Sequence, residues 1–226
     1  LVISIPVSIV AGIGRGARDG ILIKGGEFLE TSARISAVAL DKTGTLTEGR
    51  PVLTDVVPLH PDLTRDDVLH LAARAEAGSE HPLARPILDA AAAQGLRVVG
   101  LPEHTEPVPG QGIVATLDGQ RIAVGNLVLM RAEQGAEADR FADAGASEVV
   151  ERLAAAGRTP MVVARDGQVV GVVGVADRVR DDAAEMVCSL HAAGVKRVVM
   201  LTGDIEPVAR AVAAQVGVDE VRAGLL

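Results

Sequence analysis

The sequence predicts an α/β fold in which a doubly wound parallel sheet is interrupted by an inserted antiparallel unit of the α+β kind. Three observations carry that expectation. Two apolar runs far apart in the chain end in polar catalytic-type residues, Ile35 to Leu40 before Asp41 and "KRVVML" before Thr202 to Asp204. Around the second run the pattern is strand, helix, strand, helix, which implies parallel strands joined by right-handed crossovers. Between the two runs, "GIVATLDGQRIAVG" and "MVVARDGQVVGVVGV" each place β-prone residues on both sides of an Asp-Gly pair, a strong signal for a two-residue hairpin.

The elements follow in order. The opening stretch "LVISIPVSIVAGIG" is apolar from Leu1 to Ile13 and is followed by Arg15 and Arg18. Alone it is shorter than the roughly 20 apolar residues that span a bilayer. After the strand ending at Asp41, Pro51, Pro58 and Pro61 interrupt the run. Helical spacing then covers about Thr64 to Ala77, and a second helix is expected from Ser79, a good N-cap with Glu80 in its first turn. A helical stretch from about Ala138 to Ala156 separates the two Asp-Gly hairpins, so residues from about Gly49 to Val163 form the inserted unit. The parallel part resumes with "VVGVVGVAD" ending in Asp177, a helix from about Asp181 to Ala193, the strand ending at Thr202 to Asp204, and a helix in "PVARAVAAQVG". Asp41 and Thr202 both close strands, so a doubly wound sheet brings them to one rim, where ligands bind in such folds.

Composition narrows the function. Two Phe, with no Trp or Tyr, leave the core to Val, Ala, Leu and Ile, as in sheets buried on both faces. A balance of 22 Lys and Arg against 30 Asp and Glu, net charge -8, argues against nucleic acid as a partner. The single cysteine, Cys188, excludes an intramolecular disulfide and any multi-cysteine metal site, and its helical surroundings predict a buried packing residue. The five His are scattered, with no two at metal-ligand spacing.

The stretch "DKTGTLT", residues 41 to 47, crowds small polar groups around one carboxylate. A turn leaving a strand would account for Asp41, Thr43 and Gly44. A nucleophilic aspartate would also need them: Gly44 lets backbone approach a phosphate, Thr43 and Thr45 offer donors, and Lys42 adds positive charge. The whole string resembles the phosphorylation motif of the P-type ATPases, ion pumps of the haloacid dehalogenase superfamily. That resemblance implies a Rossmann-like, haloacid dehalogenase-type phosphorylation domain with an inserted nucleotide-binding domain. It makes Asp41 the phosphorylated residue, with Lys42, Thr43, Thr202, Gly203 and Asp204 around the reacting phosphoryl group, and ATP with Mg²⁺, the metal at Asp41 and Thr43. Phosphatases of the superfamily usually carry a second aspartate two positions after the nucleophile. Thr43 stands there instead, which suits an enzyme that holds its phosphoenzyme.

Three further motifs extend the resemblance. "SEHPLA" reads as a helix start on pattern alone and is similar to the Ser-Glu-His-Pro motif of heavy-metal pumps, which implies that Glu76, Glu80 and His81 line an adenine pocket. Gly110, Gly112, Gly125 and Asn126 are implied in the same pocket, a lone G-x-G being otherwise only a loop entering a strand. Asp177 and Arg180 match a family Asp-x-x-Arg near the hinge between domains, and a helix-entry salt bridge is the alternative.

The expected organisation is the end of a transmembrane helix and its extension over residues 1–20, the first part of the phosphorylation domain over 21–48, the nucleotide-binding domain over 49–165 and the second part of the phosphorylation domain over 166–226. The resemblance implies part of a multi-pass membrane pump in the plasma membrane of a bacterium. These domains would be cytoplasmic, and the pump would move a divalent metal cation through membrane helices outside this stretch. The opening segment looks more like the zinc/cadmium branch than the copper branch, whose equivalent typically reads Ala-Leu-Gly-Leu-Ala-Thr-Pro. Two alternatives stay open, a soluble phosphatase of the dehalogenase superfamily and a non-catalytic ATP-binding module.

Overall fold

The computed structural model describes residues 3–134 and 145–225. The opening apolar run forms helix α1, Ser4–Arg18, with none of its residues buried, and α2, Gly26–Ser32, packs beside it. No helix among the described residues is long and apolar enough to cross a membrane.

Two sheets follow. The smaller is parallel and contains β1 (Ala37–Asp41), β8 (Arg197–Leu201) and β9 (Glu220–Arg222), in the order β1-β8-β9. Helices α7 (Ala183–Ala192) and α8 (Glu206–Val216) supply its apolar cover, through Ala183 and Val187 on one and Ala209, Val212 and Val216 on the other. The larger sheet is antiparallel and contains β2 (Thr47–Pro58), β3 (His104–Val108), β4 (Gly112–Leu117), β5 (Gln120–Gly125), β6 (Thr159–Arg165) and β7 (Gln168–Val179), in the order β2-β7-β6-β5-β4-β3. Helices α3 (Arg65–Glu76) and α4 (Ala84–Ala93) cover one face, and α5 (Leu127–Gln134) and α6 (Ala146–Ala155) the other.

Strand alternation shows why these segments read as continuous apolar runs. Ile113, Ala115, Ile122, Val124, Met161 and Val163 face α3 and α4, while Val114, Ala123, Val162 and Ala164 face α5 and α6. With both faces covered, neither set can be polar. The two Asp-Gly loops close the hairpins as expected, Leu117 opposite Gln120 and Arg165 opposite Gln168, with Asp118 and Asp166 at φ of 52° and 48°. Left-handed backbone at both loop positions is what the right-handed strand twist selects.

Four local expectations change. The run "VVGVVGVAD" is not a strand of the parallel sheet. It is β7, paired antiparallel with β6 and β2, because the tight Asp-Gly turn folds it straight back. Pro51 does not break the run but lies inside β2, and Pro58 is the last residue of that strand; β2 is an edge strand, where a missing N–H need break no ladder bond. The second helix of the inserted unit starts at Ala84 rather than Ser79, with Ser79 to Leu83 forming a loop. A residue before proline avoids the helical region, and Pro82 imposes that on His81. Cys188 is exposed. Ala183 and Val187, four apart, form the buried stripe of α7, and Cys188 lies a further 100° or so around the helix. The expected helix from about Ala138 begins outside the described residues, and its described part is α6.

The long pair β2 and β7 runs from beside Asp41 into the six-stranded sheet and so joins the two layers. Helix α6 also packs against α8, giving the layers a second contact away from that ribbon.

Candidate functional site

Register places the first cluster. In the parallel pairing Asp41 lies opposite Leu201, so the chain leaving β1 and the chain leaving β8 diverge from one rim. Asp41 is exposed there, and Thr202 is the next residue after β8. The turn after Asp41 has Thr43 at φ -78°, ψ 120° and Gly44 at φ 78°, ψ -6°. These are the central angles of a type II turn, whose third position requires the left-handed region that glycine occupies freely. No protein atom stands where a side chain of Gly44 would project, so that side of the turn is open.

Lys42 and Asp204, both expected at the rim, are paired with each other. The residue after Asp41 turns inward: Lys42 is 8% exposed, and its Nζ lies 2.6 Å from Oδ2 of Asp204. Its charge is paired with a carboxylate of the loop that leaves β8 at the same rim. Asp204 in turn donates its backbone N–H to Thr202 Oγ1 at 3.1 Å, which leaves the Thr202 hydroxyl proton available to a ligand. The segment after β9 clasps this loop through three backbone bonds, Thr202 N–H to the Arg222 carbonyl, Leu225 N–H to the Thr202 carbonyl and Gly224 N–H to the Asp204 carbonyl. Thr202, Gly203 and Asp204 are therefore held rigidly between strands and strap.

Sequence reasoning assigned nothing to Thr47. It is fully buried, and its hydroxyl lies 3.0 Å from the Lys42 carbonyl and 2.5 Å from Asp177 Oδ2. Asp177 also accepts from the backbone N–H groups of Gly49 at 3.0 Å and Arg50 at 2.9 Å. It makes no salt bridge with Arg180, whose Nε pairs with Asp182 at 3.1 Å and whose backbone N–H donates to the Leu46 carbonyl. The only sequence signal for Thr47 was its place as the last residue of "DKTGTLT".

The second cluster is in the six-stranded sheet. Glu76 ends α3 and is 4% exposed. Burial raises its pKa, opposed by a hydrogen bond from Ser79, and Oε2 has no hydrogen-bond partner among the described residues. A buried unpartnered carboxyl oxygen is costly unless it meets a ligand or takes up a proton. Glu80 and His81 are exposed in the loop that follows, with His81 Nδ1 accepting from Leu83 N–H at 3.2 Å.

The glycines of this cluster divide. Gly112 and Gly125 face each other in the β4-β5 ladder, and a Cβ on Gly125 would lie 2.2 Å from the Gln111 carbonyl and 2.7 Å from Leu129. Their bareness serves the approach of their own strands. Gly110, at φ 71° with open space beside it, is a turn position free to face a ligand. Asn126 caps α5: its Oδ1 accepts from Val128 and Leu129 N–H, both at 3.0 Å, and its Nδ2 donates to the Gly110 carbonyl at 3.0 Å. It therefore positions the Gly110 turn instead of projecting a free amide.

Glu76 makes a pH prediction. An acid whose pKa is raised by folding penalises the native state once it ionises, so the penalty is absent below the unfolded value of about 4.5 and grows as pH rises through the folded value. Glu76→Gln removes it. Thermal melting should show the variant and the parent alike near pH 4 and the variant more stable at pH 8; equal midpoints at both would show that the carboxylate is not desolvated.

Mg²⁺ keeps several waters and takes only one or two protein carboxylates alongside substrate phosphates. The rim fits that demand: Asp41 supplies one exposed carboxylate, while Asp204 is engaged by Lys42. No group of three or more His, Cys, Asp or Glu that could hold a metal by itself occurs among the described residues.

Residues 35–225 match the sequence profile of the haloacid dehalogenase-like hydrolases, which covers both sheets and the whole rim. The chain belongs to the haloacid dehalogenase-like hydrolase family. Its homologues are metal-transporting P-type ATPases. It is 41% identical over 226 residues to the manganese-exporting P-type ATPase of Mycobacterium tuberculosis, covering 99% of this chain and 30% of that protein. It is 42% identical over 221 residues to a copper-transporting P-type ATPase of Rhizobium leguminosarum bv. viciae, covering 98% of this chain and 25% of the relative. A zinc-transporting PIB-type ATPase solved in its E2.Pi state superposes with a TM-score of 0.73 and 38% identity, covering all of this haloacid dehalogenase-like chain and 35% of the solved one. The chain thus spans about a third or less of the length of these relatives. Their names divide among manganese, copper and zinc, so the heavy-metal family resemblance holds without selecting one metal, and none of these three names cadmium.

Proposed function

We propose that this chain is the ATP-using core of a heavy-metal cation pump, in which Asp41 receives the terminal phosphoryl group of ATP. The observation that carries the reading is the rim: an exposed carboxylate at the end of β1, an open type II turn beside it, and Thr202 anchored at the end of the neighbouring strand with its hydroxyl proton unspent. In the reaction an Asp41 carboxylate oxygen bonds to the γ-phosphorus while the bond to the β,γ-bridging oxygen breaks and ADP leaves. Thr202 donates to the phosphoryl oxygens as charge spreads over them. Asp41 and the backbone of Thr43 would hold Mg²⁺, which when bound neutralises charge on the transferring group. Thr43 offers no carboxylate to activate water, so the acyl phosphate is slow to hydrolyse and lasts long enough to drive a conformational change.

The adenine lies by Glu76, Glu80, His81 and the Gly110 turn, with Gly112, Gly125 and Asn126 shaping that wall. The transported cation crosses through membrane helices outside residues 1–226, in a bacterial plasma membrane with the two sheets on the cytoplasmic side. Residues 1–20, including α1, form the junction with that membrane part. The β2-β7 ribbon divides a phosphorylation domain from a nucleotide-binding domain that extends through the first two-thirds of β7. Zinc is the favoured cargo, supported by the opening "LVISIPVSIVAGIG" segment and by the likeness to the zinc-transporting structure over all of this chain.

The test is the full-length protein in proteoliposomes, assayed for Mg-ATP hydrolysis and cation uptake against zinc, cadmium, manganese and copper(I). Zinc should stimulate hydrolysis several-fold with coupled uptake. Hydrolysis indifferent to every cation, with no uptake, would leave the phosphatase alternative standing.

A further inference from the structure

We propose that the turn after α6 and the flank of α8 form an autoinhibitory latch, which holds the six-stranded sheet at a tilt that keeps its adenine face away from Asp41. The proposal rests on the phosphoryl-transfer reading above. It starts from a knob at the end of α6. Two backbone bonds close that helix, Gly157 N–H to the Ala154 carbonyl and Arg158 N–H to the Leu153 carbonyl, both at 3.0 Å, with Gly157 at φ 74°. This is the Schellman pattern, which stops a helix on a left-handed residue and fixes the chain beyond it. Arg158 Nη1 then ties the turn to Asp55 Oδ1 of β2 at 2.7 Å. The knob therefore moves with its own sheet.

It presses on the other layer. A Cβ at Gly157 would lie 3.5 Å from Ala211 Cβ and 3.8 Å from Val212 Cγ2, ordinary van der Waals contact with α8. Ala154 and Val208, three positions before Gly157 and Ala211, lie on the same sides of their helices. They are 2% and 1% exposed, yet neither belongs to the apolar core of its own sheet, so the opposite layer covers them. Among the described residues no hydrogen bond or ion pair joins α6 and its turn to α8. Small apolar faces part without stranding a buried polar group, so the contact can open and reclose at modest cost. Glu76 ends α3, on the face of the sheet opposite α6. A tilt that seats the α6 face on α8 lifts the α3 face, so a seated latch and delivery of the ATP phosphates to Asp41 exclude each other. Phosphorylation of Asp41 requires the latch to open.

Fastening the latch tests it. A disulfide needs Cβ atoms about 3.5 to 4.5 Å apart, and positions 157 and 211 meet that at 3.5 Å. In the full-length protein, Gly157→Cys with Ala211→Cys should form a bridge on mild oxidation, located by peptide mapping and absent from either single variant. The bridged protein should bind ATP with unchanged affinity by calorimetry, while labelling of Asp41 from ATP should slow by roughly tenfold because few molecules reach the competent tilt. Reductant should restore the rate. Ala211→Glu acts in the opposite sense: a carboxylate pressed against the Gly157 turn holds the contact open, and labelling at limiting ATP should speed up by about two- to fivefold. Full-rate labelling of the bridged protein, a folded double variant that forms no bridge, or an unchanged rate in Ala211→Glu would each overturn the latch. If Gly157→Cys does not fold at its left-handed position, Ala211→Glu decides alone. A parent protein that takes up no label defeats the phosphoryl-transfer reading, a result distinct from these because bridge formation is read without nucleotide.

Discussion

Asp41→Asn should abolish the acid-stable, hydroxylamine-sensitive adduct that the proposed phosphoryl transfer would give when the full-length protein meets ATP labelled at its terminal phosphate. The expected loss is on the order of a thousandfold or more, the scale seen when an enzyme loses its nucleophile. The substitution replaces one oxygen by an amide nitrogen at an exposed position, so it removes nucleophilicity with little change in volume or packing. An acyl phosphate is the only product a carboxylate nucleophile can give, and hydroxylamine cleaves it whereas a phosphoserine or phosphothreonine survives. Labelling that persists in Asp41→Asn would move the nucleophile elsewhere on the rim, with Thr43, Thr45 and Thr202 the hydroxyls in place to take it.

Asp204→Ala should be the most damaging single change to stability near the rim. Its carboxylate is the partner of the Lys42 ammonium at 2.6 Å, with the two side chains 20% and 10% exposed. Removing one member of a buried pair strands the other charge, at a cost of about 3 to 5 kcal/mol. For a chain of this size that lowers the melting temperature by roughly 10 °C. Replacing both residues, Lys42→Met with Asp204→Leu, should recover much of the loss, because an apolar pair has no charge to desolvate. Melting curves of the single and double variants check this, and a loss below about 1 kcal/mol in Asp204→Ala would mean that water reaches the pair as at a surface site.

Several features were legible in the sequence because each is decided within a few residues. Asp118-Gly119 and Asp166-Gly167 specify their hairpins through backbone angles that few other pairs adopt. The apolar run before Asp41 specifies a strand and its end, and "DKTGTLT" specifies the turn that follows, with Gly44 needed for the left-handed position. The dearth of aromatics and the unbroken Val-rich runs already indicated a sheet covered on both faces. The family resemblance came from the same short strings, and the matching profile and homologues agree with it.

What only the tertiary structure decided involves partners far apart in the chain. An Asp-Gly turn at 166–167 and a later parallel strand compete for "VVGVVGVAD", and the pairing of β7 with β6 and with β2, more than a hundred residues away, settles the competition for the antiparallel sheet. Pro51 looks like a break until β2 proves to be an edge, because whether a missing N–H matters depends on whether a neighbour needs it. Lys42 reads as an unpaired cation in the turn, and only the fold shows that Asp204, 162 positions later, is its partner. That Asn126 caps helix α5 and that Gly125 admits the neighbouring strand is likewise visible only in the fold. Periodicity and composition report the average surroundings of a residue; the atom that meets a given hydroxyl or carboxylate is chosen by how distant segments pack, and Thr47 with Asp177, 130 residues apart, is one such pair.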